Sequence, residues 1–250
     1  MTSLGISVAD REGVRHILLD RPEKKNALTV GMYAMLADAV DSAAADDVGA
    51  LLIEARGDTF TAGNDLRDFL DNPPHGDDAP VIRFLKGLVT TDVPVIAAVR
   101  GAAVGIGTTM LLHCDLVYAA PNAKFKVPFV DLGLVPEAAS SVLLAGRIGR
   151  ARAGAALYLG ETFSAERAFA DGIVTEIVPD DALDAKAGSA ARAIAAKPRQ
   201  AVRETKRLVN HDRDALLAAI ARESAAFRDR LASDEARAAM SAFFTRGARG

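Results

Sequence analysis

The sequence predicts an α/β core followed by a helical tail. Three observations carry this. Across the first two-thirds of the chain, short apolar β-branched runs alternate with amphipathic stretches. Those runs, such as 48–54 and 94–99, are apolar almost without interruption, as in parallel strands buried on both faces. From residue 180 onward helix candidates follow one another with no strand between them.

Taken in order, Ile6-Ser7-Val8 and Val14–Leu19 read as a hairpin turning at Asp10-Arg11-Glu12-Gly13. A polar loop, 21–28, leads to Thr29, an N-cap for a helix striped by Met32, Leu36, Ala39 and Val40. After the strand at 48–54, small residues at 57–66 lead into a short helix capped by Asp65. The stretch 70–80, with three prolines and three aspartates, has little to bury and is expected to be a mobile loop. A helix is expected over 81–89, a strand over 94–99, a helix over 108–113 and strands over 115–119 and 124–127. The loop 129–137 is unusually apolar. Helices are expected at 138–147 and 150–159, with another capped by Ser164, before a last strand at 173–178. The tail divides at Pro198 and Asp212 into helices over 181–196, 199–210, 213–231 and 233–244.

The chain has 250 residues, a net charge of −3 and 50% hydrophobic residues, an ordinary balance for a globular protein. No basic cluster occurs, so neither nucleic acid nor an anionic membrane is an expected partner. A single cysteine, Cys114, excludes an internal disulfide framework and reads as a core residue. Residues 1–10 lack a secretory pattern and no apolar run reaches membrane-spanning length, so a cytoplasmic location is expected. The histidines, at 16, 75, 113 and 211, are scattered, and no GxSxG or HExxH motif is present. No metal site is expected.

Chemistry concentrates in 94–120. Glycines at 105 and 107 leave the backbone around Ile106 uncrowded, and the helix start beyond them has unpaired N–H groups. Such a turn suits an anion or a carbonyl oxygen gaining negative charge. A strand–helix–strand core unit, with glycines for close packing, accounts for the same residues. A dinucleotide fingerprint does not fit, because Met110 stands where a third small residue belongs. The stretch 60–66, FTAGNDL, is a second turn of the same kind, with Asn64 N–H free to point outward as Ile106 N–H does. Two convergent donors suit an oxyanion or enolate, and losing one such donor costs ~3 kcal/mol at the transition state.

Five blocks, RPEKKNAL at 21–28, FTAGNDL at 60–66, PVIAAVRGAAVGIG at 94–107, HCDLVYAA at 113–120 and LGLVPEAASS at 132–141, resemble the crotonase, or enoyl-CoA hydratase/isomerase, superfamily in order and spacing. The resemblance implies a spiral of repeated ββα units over 1–195 and a helical region over 196–250 used in oligomerisation. It also implies an acyl-CoA thioester ligand, a homotrimer or a dimer of trimers, and Asn64 N with Ile106 N as the oxyanion hole. Coenzyme A would enter as part of the substrate, with no permanently bound cofactor.

Hydratases of that family use two glutamates, at positions occupied here by Thr109 and Phe129. Neither can exchange a proton at neutral pH. Glu137, in Val135-Pro136-Glu137, resembles the single catalytic carboxylate of Δ3,Δ2-enoyl-CoA isomerases. Read on physics alone, Glu137 is an acid at the start of the helix over 138–147. The resemblance favours the isomerase base, with apolar neighbours raising its pKa. A hydratase-like reaction would need another carboxylate, Asp68 or Asp71 being the candidates, and a catalytically silent acyl-CoA binder is the reading from another class. The resemblance further places Lys24, Lys25 and Arg67 near CoA phosphates, Ala62 and Leu66 along adenine and pantetheine, and Phe243 and Arg246 in a C-terminal segment that reaches CoA. Arg100 stands where many relatives carry asparagine, and Asp115 is expected to hold local backbone.

Overall fold

A computed structural model describes residues 5–74, 76–210 and 212–247. Strands β1 (Ile6–Arg11) and β2 (Val14–Leu19) pair antiparallel through a turn at Glu12 and Gly13, both at positive φ, as tight hairpins require. Thr29 caps α1 (Val30–Asp41), its hydroxyl accepting from Met32 N at 3.3 Å. Strand β3 (Ala50–Ala55) adds to β2 in parallel. Asp65 caps α2 (Leu66–Asp71), and α3 (Pro80–Thr90) follows with proline in its first turn, where no N–H is missed.

Strand β4 (Val95–Val99) lies parallel to β3, and Gly101 turns the chain into β5 (Ala102–Val104). At Gly101 a Cβ would stand 1.8 Å from Asp58 O, so no other residue fits. After α4 (Ile106–Thr109) comes a 3₁₀ turn, Met110–His113. Strand β6 (Leu116–Ala119) returns beside β4, and β7 (Lys124–Lys126) lies parallel to β5. Helices α5 (Ser140–Ile148) and α6 (Arg150–Leu159) precede β8 (Phe163–Ser164), α7 (Ala165–Ala170) and β9 (Glu176–Ile177). The tail comprises α8 (Leu183–Ala195), α9 (Arg199–Val209), α10 (Arg213–Leu231) and α11 (Asp234–Gly247).

The strands make two sheets, β1-β2-β3-β4-β6-β9 and β5-β7-β8. Successive units place one strand in the large sheet and the next in the small one, as β4 then β5 and β6 then β7. Uninterrupted apolar runs follow from two buried faces. Leu51, Ile53, Val95 and Ala97 enter the main core, while Ala50, Leu52, Ile96 and Ala98 meet Leu183, Ala187 and Ala191 of α8. Helix α10 returns across the body to pack on α3 and α5, with Phe227 edge-on to Phe69 at 5.9 Å.

Some expected elements differ. The helix expected at 108 begins at Ile106, because Gly105 takes φ +57°, ψ −119° and ends the extended backbone there. The helix expected from 138 begins at Ser140, since Ala138 and Ala139 are left-handed (φ +60° and +54°). The strand expected over 173–178 shrinks to Glu176–Ile177, and β5 and β8, too short for a periodic signal, were not expected at all. Arg100 acquires a reason: it bonds Asp180 at 3.0 Å and Asp184 at 2.8 Å, fastening the end of β4 to the start of the tail. Asp115 Oδ2 accepts from Val95 N at 2.7 Å and from buried Lys206 at 2.8 Å, holding backbone as expected.

Candidate active site

Three segments converge beneath α10, which is the fourth part of the site. The first is Thr59 to Asp65. Buried Asn26, in the left-handed region, grips it with two Nδ2 donations, to Arg56 O at 2.9 Å and Thr59 O at 2.8 Å. The Thr61 hydroxyl donates to Asn26 O at 2.7 Å. Leu28 N donates to Gly63 O and Asp65 N to Leu28 O, both at 2.8 Å. That pairing turns the N–H of the intervening Asn64 away from Leu28.

The second segment, β5 into α4, lies on the other side. Thr61 pairs in parallel with Ala103, through Thr61 N to Ala102 O and Val104 N to Thr61 O, each 3.0 Å. A Cβ at Gly63 would stand 2.8 Å from Val104 O, so the backbone just before Asn64 lies against the end of β5, two residues before Ile106. Glycine is required at 107 because a Cβ there would meet Thr61 Cγ2 at 2.6 Å. Its role is this close approach, rather than the uncrowding expected from sequence. Ile106 opens α4, so its N–H is one of the helix's unmatched donors. Among the described residues, neither Asn64 N–H nor Ile106 N–H has a hydrogen-bond partner. The Tyr33 hydroxyl, wholly buried, donates to Asn64 Oδ1 and fixes that side chain.

The third segment carries Glu137. Its carboxyl is buried and accepts from the Thr109 hydroxyl at 2.5 Å. Burial raises its pKa to about 8; the Thr109 bond opposes this and the nearby charge of Glu223 adds to it. The helix-start alternative for Glu137 does not hold. Helix α5 begins three residues later, and the acid at its N-terminus is Glu223 of α10, whose Oε1 accepts from Ser141 N at 3.0 Å. The two left-handed alanines after Glu137 cost about 1–2 kcal/mol each. They are held by buried His113, whose Nε2–H donates to Ala138 O at 2.8 Å. Burial lowers the His113 pKa to about 4, so the ring is neutral. Burial likewise pushes Cys114 up to about 12, in keeping with its place in the core.

The fourth segment is α10 itself. Ser224, Phe227 and Arg228 line a narrow cavity, open to solvent on one side, with Asn64, Phe69, Pro74, Val81, Ile82, Leu85 and Glu137. An outer cavity of about 930 Å³ shares Phe69, Pro74 and Val81 with it and is lined also by Tyr33 and Asp71. Among the described residues lining the inner cavity, Glu137 is the only acid. Asp68 and Asp71 do not take that place. Asp68 Oδ2 accepts from Val30 N at 2.7 Å at the start of α1, and Asp71 lines the outer cavity. Phe129 is buried in the main core.

The remaining expected ligand residues gather at one rim. Ala62 N donates to Lys25 O at 2.9 Å, joining the 21–28 loop to the turn before Leu66. Lys24 and Lys25 are exposed and make no ion pair among the described residues. The Arg67 guanidinium stacks on Phe244 at 5.8 Å, bringing the end of α11 to this rim, with Phe243 exposed beside it. The Arg246 side chain lies outside the described residues. Sequence reasoning missed the roles of Tyr33, His113, Glu223 and Arg228; Glu223 and Arg228 lie far from the motifs in sequence, while His113 opens the block at 113–120 and carried no signal of its bond to Ala138 O. Among the described residues there is no metal-binding cluster of three or more His, Cys, Asp or Glu, and no helix is long and apolar enough to cross a membrane.

Comparison with known proteins decides the family, since the model described as enoyl-CoA hydratase/isomerase matches residues 9–248. The chain belongs to the enoyl-CoA hydratase/isomerase family. Its fold is the crotonase fold. Human enoyl-CoA delta isomerase 2 is 34% identical over 247 residues, 96% of this chain; the chain spans 63% of that relative's length. An enoyl-CoA hydratase/isomerase structure from Pseudoalteromonas atlantica T6c superposes with a TM-score of 0.93 at 40% identity, covering 97% of each chain. Pseudomonas aeruginosa OdaA gives a TM-score of 0.93 at 45% identity, covering 96% of this chain and 99% of its own. Members of the family process acyl-CoA thioesters, and relatives named isomerase stand among those most similar to this chain.

Proposed function

We propose that this chain moves a carbon–carbon double bond in an enoyl-CoA, from the 3 to the 2 position, with Glu137 as the one acid–base group. A single observation carries this reading. Glu137 is the only carboxyl among the described residues lining a cavity that Asn64 also lines, and Asn64 N–H has no hydrogen-bond partner among them. Hydration calls for a group to activate water and usually a second to hold it, whereas isomerisation needs one group used twice. Glu223, whose charge bears on Glu137, spends Oε1 on Ser141 and is not part of the cavity wall.

In this reading Glu137 takes a proton from C2 of the 3-enoyl thioester. The electrons pass to the thioester oxygen, where Asn64 N–H and Ile106 N–H hold the charge. Glu137 then returns the proton to C4. Lys24, Lys25 and Arg67 meet the phosphates of CoA, Ala62 and Leu66 lie along its body, and Phe243 and Arg246 close over it. The exposed cluster of Lys24 and Lys25 and the Arg67–Phe244 stack support that placement. Exposed Tyr158, Leu159, Leu208 and Val209 support association of several copies, which light scattering measures.

The test follows absorbance of the conjugated enoyl thioester. A 3-enoyl-CoA should gain conjugation, while a 2-enoyl-CoA should show no loss. Glu137→Gln should lower turnover at least ~100-fold and leave CoA-ester binding intact. Wild-type turnover in that variant, or loss of conjugation from the 2-enoyl-CoA, refutes the reading.

A further inference from the structure

Arg228 on α10 lines the inner cavity, and its Nη1 is shielded from water with no hydrogen-bond partner. Among the described residues its guanidinium makes no ion pair. Four other arginines of the tail are paired: Arg207 and Arg213 with Asp92, Arg230 with Glu235, and Arg237 with Asp234. A guanidinium cannot lose its proton to escape burial. Arg228 as a whole is half-buried, so its shielded Nη1 is a donor that an anion entering the cavity can take up. Glu223 does not line the cavity and makes no ion pair with Arg228; its Oε1 accepts from Ser141 N at 3.0 Å and its Oε2 has no hydrogen-bond partner among the described residues.

The surroundings indicate what arrives. Phe69, Val81, Ile82, Leu85 and Phe227 make the wall apolar, so a hydrocarbon body fits. Glu137 and Asn64 mark the reacting part of the cavity. Arg228 and Ser224, one helical turn apart on α10, supply its polar donors. A planar guanidinium matches a carboxylate through two parallel hydrogen bonds.

We propose that Arg228 recognises a carboxylate at the far end of the acyl group. The preferred substrates are then CoA monothioesters of unsaturated dicarboxylic acids. This rests on the acyl-CoA reading above but not on the base assigned there.

The test is calorimetric and uses saturated, unreactive ligands. Matched pairs of increasing chain length compare an acyl-CoA ending in methyl with one ending in carboxylate, together with the methyl ester of the latter. The wild-type protein should bind the carboxylate ligand roughly 10- to 100-fold more tightly than its methyl partner, and the ester should lose that gain. Arg228→Gln should abolish the preference while leaving affinity for the methyl-ended ligand little changed. Arg228→Lys should keep part of the preference. Glu137→Gln should keep all of it, which separates failure of this inference from failure of the base assignment. Equal binding of all three ligands by the wild-type protein overturns the proposal. So does an Arg228→Gln variant that changes the mass measured by light scattering while keeping the preference, since the guanidinium would then serve contact between copies. Binding of none of the ligands overturns both this inference and the acyl-CoA reading.

Discussion

The Thr109 hydroxyl donates to Glu137 Oε1 at 2.5 Å, with both residues buried. This bond favours the ionised carboxyl, while burial and Glu223 favour the protonated one. The two neighbours should therefore displace the pH–rate curve in opposite directions. With Glu137 acting as a base, kcat/KM should rise with pH to a plateau above about 8. Thr109→Val should carry that limb to higher pH and lower the neutral-pH rate roughly three- to tenfold. Glu223→Gln should carry it to lower pH. Coincident limbs for the two variants would remove Glu137 from the titration.

The same shift makes a statement about folding. Glu137 releases its proton near 4.5 when unfolded and near 8 when folded. Between those values the folded protein holds a proton that the unfolded chain has lost, so stability falls as pH rises through that window and levels off above it. Glu137→Gln removes this loss. Its unfolding free energy relative to wild type, from denaturant titrations, should be near unchanged below pH 4.5 and should gain most above pH 8, by about a few kcal/mol at most.

His113 acts with the opposite sign. Its folded pKa of about 4 lies below the ordinary 6.5, so stability is present above 6.5 and is lost as pH falls toward 4. His113→Gln, which offers an amide to Ala138 O, should flatten the acid side of the stability curve. An unchanged acid limb in denaturant titrations would show that the ring is not the group responsible.

Asn26 carries the turn that presents Asn64. Asn26→Ala strands the Arg56 and Thr59 carbonyls and places alanine at φ +52°. The expected cost is about 2–4 kcal/mol in chemical unfolding, together with lowered turnover. A cost within ~0.5 kcal/mol would mean that the turn is held by Thr61 and Leu28 alone.

Much of the architecture was legible in the chain itself. Thr29, Asp65 and Ser164 cap the helices expected of them, because a cap is a local bond three residues long. The continuous apolar runs became parallel strands, since burial on both faces leaves no polar positions. The small sheet was not legible, because strands of two or three residues carry no period and are set by their partners. At the site, Asn64, Ile106 and Glu137 could be marked as candidates from their motifs. Arg228 and Glu223 could not, because an amphipathic helix in sequence shows its stripe but not the wall against which the stripe is laid. Glu137 illustrates the limit most sharply: composition suggests a helix-start acid, and two left-handed alanines decide otherwise.

Helix α10 reaches the cavity from a part of the chain remote from the turns that carry the amides, and it brings no proton-transfer group to the cavity wall. On the function proposed above, the proton-transfer group and the α10 part of the acyl pocket lie on separate stretches of sequence. Descendants of one ancestor can exchange the residues at 224, 227 and 228, taking up new acyl groups, without disturbing the machinery that moves the proton. Exchanging residues 224, 227 and 228 while keeping Glu223, whose charge bears on Glu137, is accordingly the route to altered diet rather than altered chemistry.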